Sequence, residues 1–273
     1  MTDQQQRYDR IARGYARWWA PVLRPTAIQV LDRIAPVIGD GGRTILDLGT
    51  GTATLAIEAV SRWPTVEVVG IDASSEMAAA AEREADRLLP PADRRRFSTE
   101  VAFADELPFD DASFDAAVSS FVLQLVPNRR AVLDEVRRVL RPGARFAHVT
   151  WLQGGRWYAP DAEFDAALED VGIDPRLPEG RPGDFASIDA AISGLRKAGF
   201  RQVKARGDEL SYAFDSRSYL GFMEEFDEED LFQSLDRELR DELRRRLVER
   251  LDRLPDEAFM LRLPVVHAEG VRP

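Results

Sequence analysis

The chain is 273 residues long, 44% hydrophobic and free of cysteine, which suits one large domain or two small ones and excludes disulfides, thiolate nucleophiles and thiolate metal sites. Its formal net charge of −11 argues against non-specific nucleic-acid binding, which needs a basic surface, although plentiful arginine leaves room for a local basic groove. No window approaches the ~20 apolar residues that span a bilayer.

The opening MTDQQQRYDR is polar and carries acid, so neither a secretory signal nor a transit peptide is expected, and a cytoplasmic setting is. From Thr44 the chain alternates two kinds of segment. RTILDLG and VEVVGIDAS read as strands, followed by helices in ATLAIEAVSRW and SEMAAAAEREADRLL. RFSTEVAFAD and SFDAAVSSF read as the third and fourth strands. Val132, Leu133, Val136, Val139 and Leu140 then lie on one helical face, and the helix stops at RPG. ARFAHVTW is the fifth strand. Such alternation predicts a parallel, doubly wound α/β sheet.

Beyond Trp151 the pattern loosens. PDAEFDAALEDVG and SIDAAISGLRKAG are predicted helices around a Pro/Gly loop in which mobility is expected, from Pro175 to Gly183. FRQVKARGDELSYAF is a sixth strand and AFMLRLPVVHAEGV a seventh. Between them Asp236 to Arg253 is a heavily charged helix, most simply a solvated face. Its leucines 239, 243, 247 and 251 give it one apolar side, for packing or for a partner.

The stretch TILDLGTGTATLAIEAV carries the first chemistry. A glycine turn opening a helix offers free backbone N–H groups and close approach to a ligand. The dinucleotide fingerprint wants G-x-G-x-x-G/A; Gly49, Gly51 and Thr54 miss its third position. Asp47 would sit badly beside a pyrophosphate but would suit a ligand bearing an ammonium group. Asp72, 21 residues after Gly51, can accept both hydroxyls of a ribose, while Ser74 or Ser75 caps the next helix. Asp105, after Ala104, can bond an adenine amino group.

In order and spacing, LDLGTGTATL, VVGIDASSEM, FADELPFDDASFDAAVSS and EVRRVLRPGARF resemble the class I S-adenosylmethionine-dependent methyltransferases, in the branch similar to ubiquinone/menaquinone C-methyltransferases. The resemblance covers roughly residues 8–151 and extends weakly to LRKAGFRQV. It implies a Rossmann-like doubly wound sheet of seven strands, mostly parallel with an antiparallel last hairpin, plus helical cap insertions. The layout it implies is a single domain spanning 1–273. Residues 1–40 would form capping helices and 41–151 the cofactor-binding core, with substrate-side insertions at 152–186 and 215–254.

The implied cofactor is S-adenosylmethionine. Asp47, Gly49, Thr50 and Gly51 would line its amino-acid moiety and Asp72 its ribose, with Ala73 and Met77 flanking the adenine. Asp105, after Ala104, would lie at the adenine's amino edge and Ser119 and Phe121 near the sulfonium, with Glu106 and Gln124 also among the cofactor-binding residues. Tyr8 and Tyr15, seven apart and so on one helical face, suit a cap closing over the cofactor, or with Ile11 and Trp18 an ordinary packed face. The quinone-type enzymes often carry a His-His pair after the fourth strand. Gln124-Leu125 stands there, so no histidine base is expected and no catalytic residue is assigned. His148 and His267 read as structural, and no metal is expected.

The insertions supply Trp151, Trp157, Tyr158, Phe164, Phe185, Tyr219, Phe222, Met223 and Phe226, enough for a small apolar or aromatic acceptor, with Arg156, Glu224 and Glu225 as polar handles. Six of these, Trp151, Trp157, Tyr158, Tyr219, Phe222 and Met223, are the expected acceptor-binding set. A homodimer is left open. The rival readings are a nucleotide-dependent oxidoreductase, a nucleic-acid or protein methyltransferase, and a non-catalytic S-adenosylmethionine-binding module. The second lacks an appended basic module and an Asn/Asp-Pro-Pro-Tyr/Phe motif.

Overall fold

The computed structural model describes residues 3–154, 157–175 and 183–273. Arg156 and most of the Pro/Gly loop lie outside them. Three helices come first, α1 (Asp3–Gly14), α2 (Ala20–Ala27) and α3 (Gln29–Gly39), with a π-helical turn, Tyr15–Trp19, joining α1 to α2. The alternating core follows: β1 (Thr44–Leu48), α4 (Thr54–Arg62), β2 (Glu67–Asp72), α5 (Ser75–Leu88), a short α6 (Pro91–Arg94), β3 (Phe97–Val101), β4 (Phe114–Ser120), α7 (Arg129–Val139) and β5 (Leu140–Trp151). Then come α8 (Ala159–Asp170), α9 (Ile188–Lys197) and β6 (Arg201–Ala213). Before β7 (Met260–Val271) the chain runs through α10 (Ser216–Phe222), a second π-helical turn (Met223–Asp227), α11 (Glu229–Ser234) and α12 (Arg237–Leu251).

The strands form one seven-stranded sheet in the order β3-β2-β1-β4-β5-β7-β6. β1 to β5 pair in parallel, and β7 runs antiparallel to both β5 and β6. The expected last hairpin is present, but its connection is the helical stretch 214–259 rather than a tight turn. Parallel strands need crossover helices on both faces and are therefore apolar on both. In β1 and its neighbours Ile45, Ala116, Val118 and Val149 face α3 and α4, whereas Leu46, Leu48, Ala117 and Phe146 face α7 and α9.

β5 begins four residues earlier than ARFAHVTW suggests. The Arg141-Pro142-Gly143 stop does end α7 at Val139, but the strand starts immediately after it. Gly143 absorbs the change of direction at φ +83°, and the β4–β5 register shifts between Phe114 and Ala116. The apolar side of α12 is spent inside the chain. Leu243, Leu247 and Leu251 are fully buried where α12 meets α8 and α10. Its charges pair along the surface, as in Arg246–Glu242 at 2.9 Å, and contribute little to stability.

Candidate active site

The turn after β1 is held open by backbone geometry that only glycine adopts freely. Gly49 and Gly51 have φ +68° and +53°. A methyl group on Gly49 would also lie 2.3 Å from Val122 Cγ2. Thr50 N–H donates to the Ile71 carbonyl at 2.8 Å, tying the turn to β2. Beneath it Asp47 is almost fully buried and accepts the Thr50 hydroxyl at 2.8 Å. Burial pushes its carboxyl up to about 7, against the pull of bonds from Thr50 and the Ala56 N–H.

Asp72 stands at the carboxyl end of β2. Its Oδ2 accepts the Gly51 N–H at 2.9 Å and its Oδ1 the Ser74 N–H at 3.0 Å. Burial still holds its carboxyl above the usual range, with those N–H bonds opposing. The Ala73 N–H also bonds this carboxylate, and the group keeps acceptor capacity beyond these bonds. Ser74, not Ser75, caps α5 by accepting the Met77 N–H at 3.1 Å. The Ser74 hydroxyl also donates to Asp9 Oδ1 at 2.5 Å, which anchors α1 over the carboxyl ends of the strands.

Between these elements lies a cavity of about 450 Å³. Of the residues singled out from the sequence, Tyr8, Tyr15, Gly49, Gly51, Asp72, Ala73, Met77, Ala104, Asp105 and Phe121 line it. Asp47, Thr50, Glu106, Ser119 and Gln124 do not. Asp47 and Thr50 form the layer beneath the turn, and Thr50 packs over Gly70. Glu106 points to solvent. The Ser119 hydroxyl donates to the Leu48 carbonyl at 2.9 Å, and the alternation of a strand puts Ser120 on the cavity instead. Gln124 is a strap: its Nε2 donates to the Phe121 carbonyl at 2.6 Å and its Oε1 accepts the Thr150 hydroxyl.

That strap holds Phe121 at φ +56°, a costly backbone for a bulky side chain, with its ring 4.2 Å from that of Trp151. Sequence reasoning missed the wall made by Val122, Leu125, Val126 and Pro127; its signal was the apolar run directly after β4.

Over the cavity Tyr8 and Tyr15 meet edge to face at 6.2 Å. Burial raises both phenols, Tyr8 to about 12 and Tyr15 further, so both are neutral hydrogen-bond donors at physiological pH. The two π-helical turns face each other behind them. Trp19 stacks on Phe226 at 5.7 Å, and Trp18 Nε1 donates to Glu225 Oε2 at 2.8 Å. A Cβ on Gly14 would fall 1.8 Å from the Glu225 carbonyl oxygen.

None of the six aromatic or methionine side chains expected to bind an acceptor lines the cavity. Trp151, Phe222 and Met223 are core residues. Tyr219 is fully buried, donating to Asp161 Oδ1 at 2.8 Å, and Tyr158 donates to the Phe259 carbonyl at 3.0 Å. Trp157 is 81% exposed. The two acids expected as polar handles are paired, Glu224 with Arg244 and Glu225 with Arg17. His148 lies between Phe146 and Phe185. Burial lowers it to about 3 and His267 to about 4, so both are neutral. Among the described residues no group of three His, Asp or Glu could hold a metal, and no helix is long and apolar enough to cross a membrane.

Strand order, glycine turn and strand-end carboxylate define a class, and comparison with known proteins gives the same one. A methyltransferase-domain model matches residues 45–143. A malonyl-[acyl-carrier protein] O-methyltransferase of Geobacter sulfurreducens is 30% identical over 200 residues, 70% of each chain. The chain belongs to the class I S-adenosylmethionine-dependent methyltransferases. Over a shorter stretch it is similar to the ubiquinone/menaquinone C-methyltransferases. One of these, from Geobacter sp. (strain M21), is 40% identical over 109 residues, 39% of this chain and 44% of that relative's length. Among solved structures, the [4+2]-cyclase SpnF superposes with a TM-score of 0.61 at 19% identity, covering 99% of this chain and 96% of that one. That likeness shows the fold alone, and the fold does not by itself carry a reaction.

Proposed function

We propose that this protein transfers a methyl group from S-adenosylmethionine to a small acceptor of apolar or aromatic character. The observation that carries the reading is Asp72. It is a carboxylate at the end of β2, braced by two backbone N–H bonds, on the wall of a cavity whose volume of about 450 Å³ suits one nucleoside-sized ligand. The remaining lone pairs of Asp72 would take vicinal hydroxyls. Asp105, with Ala73 and Met77, would hold the base, and Gly49 and Gly51 would admit the amino-acid end. Tyr8 and Tyr15 would close the lid and exclude water.

Bound there, the cofactor supplies a methyl group on a positively charged sulfur leaving group. The chain's own contribution is alignment and desolvation. Phe121 and Tyr15 set the acceptor's approach, with the segments 152–186 and 215–254 shaping the acceptor side. The wall from Val122 to Pro127 is apolar, and among the described residues no histidine lines the cavity. The acceptor atom is therefore one that attacks without a histidine base.

Calorimetric titration with S-adenosylmethionine, S-adenosylhomocysteine and NADH tests the reading. Micromolar binding of the two sulfur ligands, weakened about a hundredfold by Asp72→Ala, is expected on the loss of a doubly bonded carboxylate. Tight NADH binding, or no binding of either sulfur ligand, would replace it with an oxidoreductase or a scaffold. Binding without methylation of any apolar or aromatic acceptor in a screen would point to a non-catalytic module.

A further inference from the structure

A second cavity, of about 350 Å³, shares no residue with the first. It lies between α3 and the sheet face formed by β5, β7 and β6, lined by Gln29, Asp32, Arg33, Arg145, Arg206 and Glu269 among others. Arg145 lies four residues before Val149, the register partner of the cavity-lining Ser120, so this cavity is ~13 Å along the strand from the candidate active site.

Its charges are unevenly matched. Asp32 is engaged from outside by Arg62 at 2.6 Å. Arg206 at the rim donates to Asp208 and Gln29, each at 3.0 Å. That leaves Glu269 to balance two guanidinium groups. Arg145 donates to it at 3.0 Å, while Arg33 stands 3.8 Å away, an ion-pair distance rather than a hydrogen bond.

Both arginines are largely buried, with side-chain exposures of 20% and 22%, so the surplus positive charge sits where water screens it poorly. One buried donor of the lining, Arg145 Nε, lacks a hydrogen-bond partner. Behind the lining neither ring nitrogen of His267 makes a hydrogen bond, its Nε2 standing 4.0 Å from Asp208. His267 is fully buried, pairs in register with Arg206 and shares a strand face with Glu269. Native proteins leave few such groups unmatched, and each calls for an explanation.

We propose that this cavity is a binding site for a small anionic molecule, carrying a carboxylate or a phosphate, that completes the coordination of Arg33 and Arg145. Guanidinium forks match both anions in geometry and charge. The volume admits a small metabolite rather than a bare ion alone, and Gln29 and Arg206 offer further donors to its polar edge. This site does not depend on the methyltransferase reading.

The test is calorimetric titration of the whole protein with inorganic phosphate and, separately, with citrate, against sodium chloride at matched ionic strength. Saturable binding of at least one, with Kd at or below about 1 mM, is expected, and Arg33→Gln should weaken it about tenfold by removing one charged donor pair. Binding of citrate alone assigns a carboxylate ligand, and of phosphate alone a phosphorylated one. No saturable binding of either overturns the proposal, as does an Arg33→Gln protein that binds as the parent does. Should that variant fail to fold, Arg206→Gln at the exposed rim carries the same expectation.

Discussion

Replacing Asp47 by asparagine should make the free protein more stable, by an amount that grows as pH rises towards 7 and is held above it. The carboxyl is almost fully buried, and burial lifts it from 3.8 to about 7. Each pH unit between those values is worth about 1.4 kcal/mol, so holding it ionised in the fold costs about 4 kcal/mol relative to the unfolded chain. Asparagine keeps an acceptor for the Thr50 hydroxyl but leaves an amide donor unpaired, at about 1–3 kcal/mol.

The sign follows from which form the fold prefers. A raised carboxyl takes up a proton on folding between pH ~4 and ~7, so the parent's stability falls as pH rises through that window and is flat above it. Asparagine does not titrate. Its advantage is therefore near zero at pH 5 and about 1–3 kcal/mol at pH 8, a melting-point rise of about 2–6 °C for a chain of this size. Melting curves of both proteins at pH 5, 6, 7 and 8 measure it. An advantage absent at pH 8, or equal at pH 5 and pH 8, would refute a buried carboxyl with a raised pKa. The same variant should bind S-adenosylhomocysteine about tenfold more weakly if that charge balances the ligand's ammonium group.

Gly14→Ala should force the two π-helical turns apart, because its Cβ would lie 1.8 Å from the Glu225 carbonyl oxygen. A loss of about 1–3 kcal/mol is expected on overpacking, with weaker nucleoside binding as Tyr15 shifts. Unchanged denaturant midpoints and unchanged S-adenosylhomocysteine affinity would refute the tight apposition. Leu247→Ala, in the fully buried seam of α12, should cost about 2–5 kcal/mol. A loss under about 1 kcal/mol in urea denaturation would mean that α12 is held mainly by its surface charges.

The parallel core was legible because its signals are local. Alternation of apolar runs with helical spacing placed β1, α4, β2 and α5 to within a residue or two, and Ser74 stands where an N-cap was wanted. Asp72 at the end of β2 could be found by counting from Gly51. Side-chain destinations were less legible. Ser119 and Ser120 differ by one position and point to opposite faces, so an error of one residue exchanges a core hydroxyl for a cavity one. Tyr219 and Trp157 are both large aromatic residues of the insertions, one fully buried and the other 81% exposed. Composition cannot separate them, because the difference is made by α10 packing on α12, far along the chain. The π-helical turns have no residue signature and follow from the fit of Trp18 and Trp19 against residues 221–226. The early start of β5 went unread because proline and glycine end a helix without forbidding a strand.

β7 imposes an order on how the molecule can assemble. Its residues, 260–271, occupy an inner place in the sheet, between two strands synthesised well before it. Until they arrive, the edge of β5 from Arg145 to Trp151 is unpaired, and β6 lacks its one neighbour. β5 and β6 both run antiparallel to β7 and therefore parallel to each other. A nascent β6 can dock directly on β5 in a direction the sheet already tolerates, and β7 must then displace it. An open edge of that kind is also a template for pairing with other chains. The connection that carries α10 to α12 fits this constraint. It is long enough for β7 to reach its inner place without a tight turn from β6.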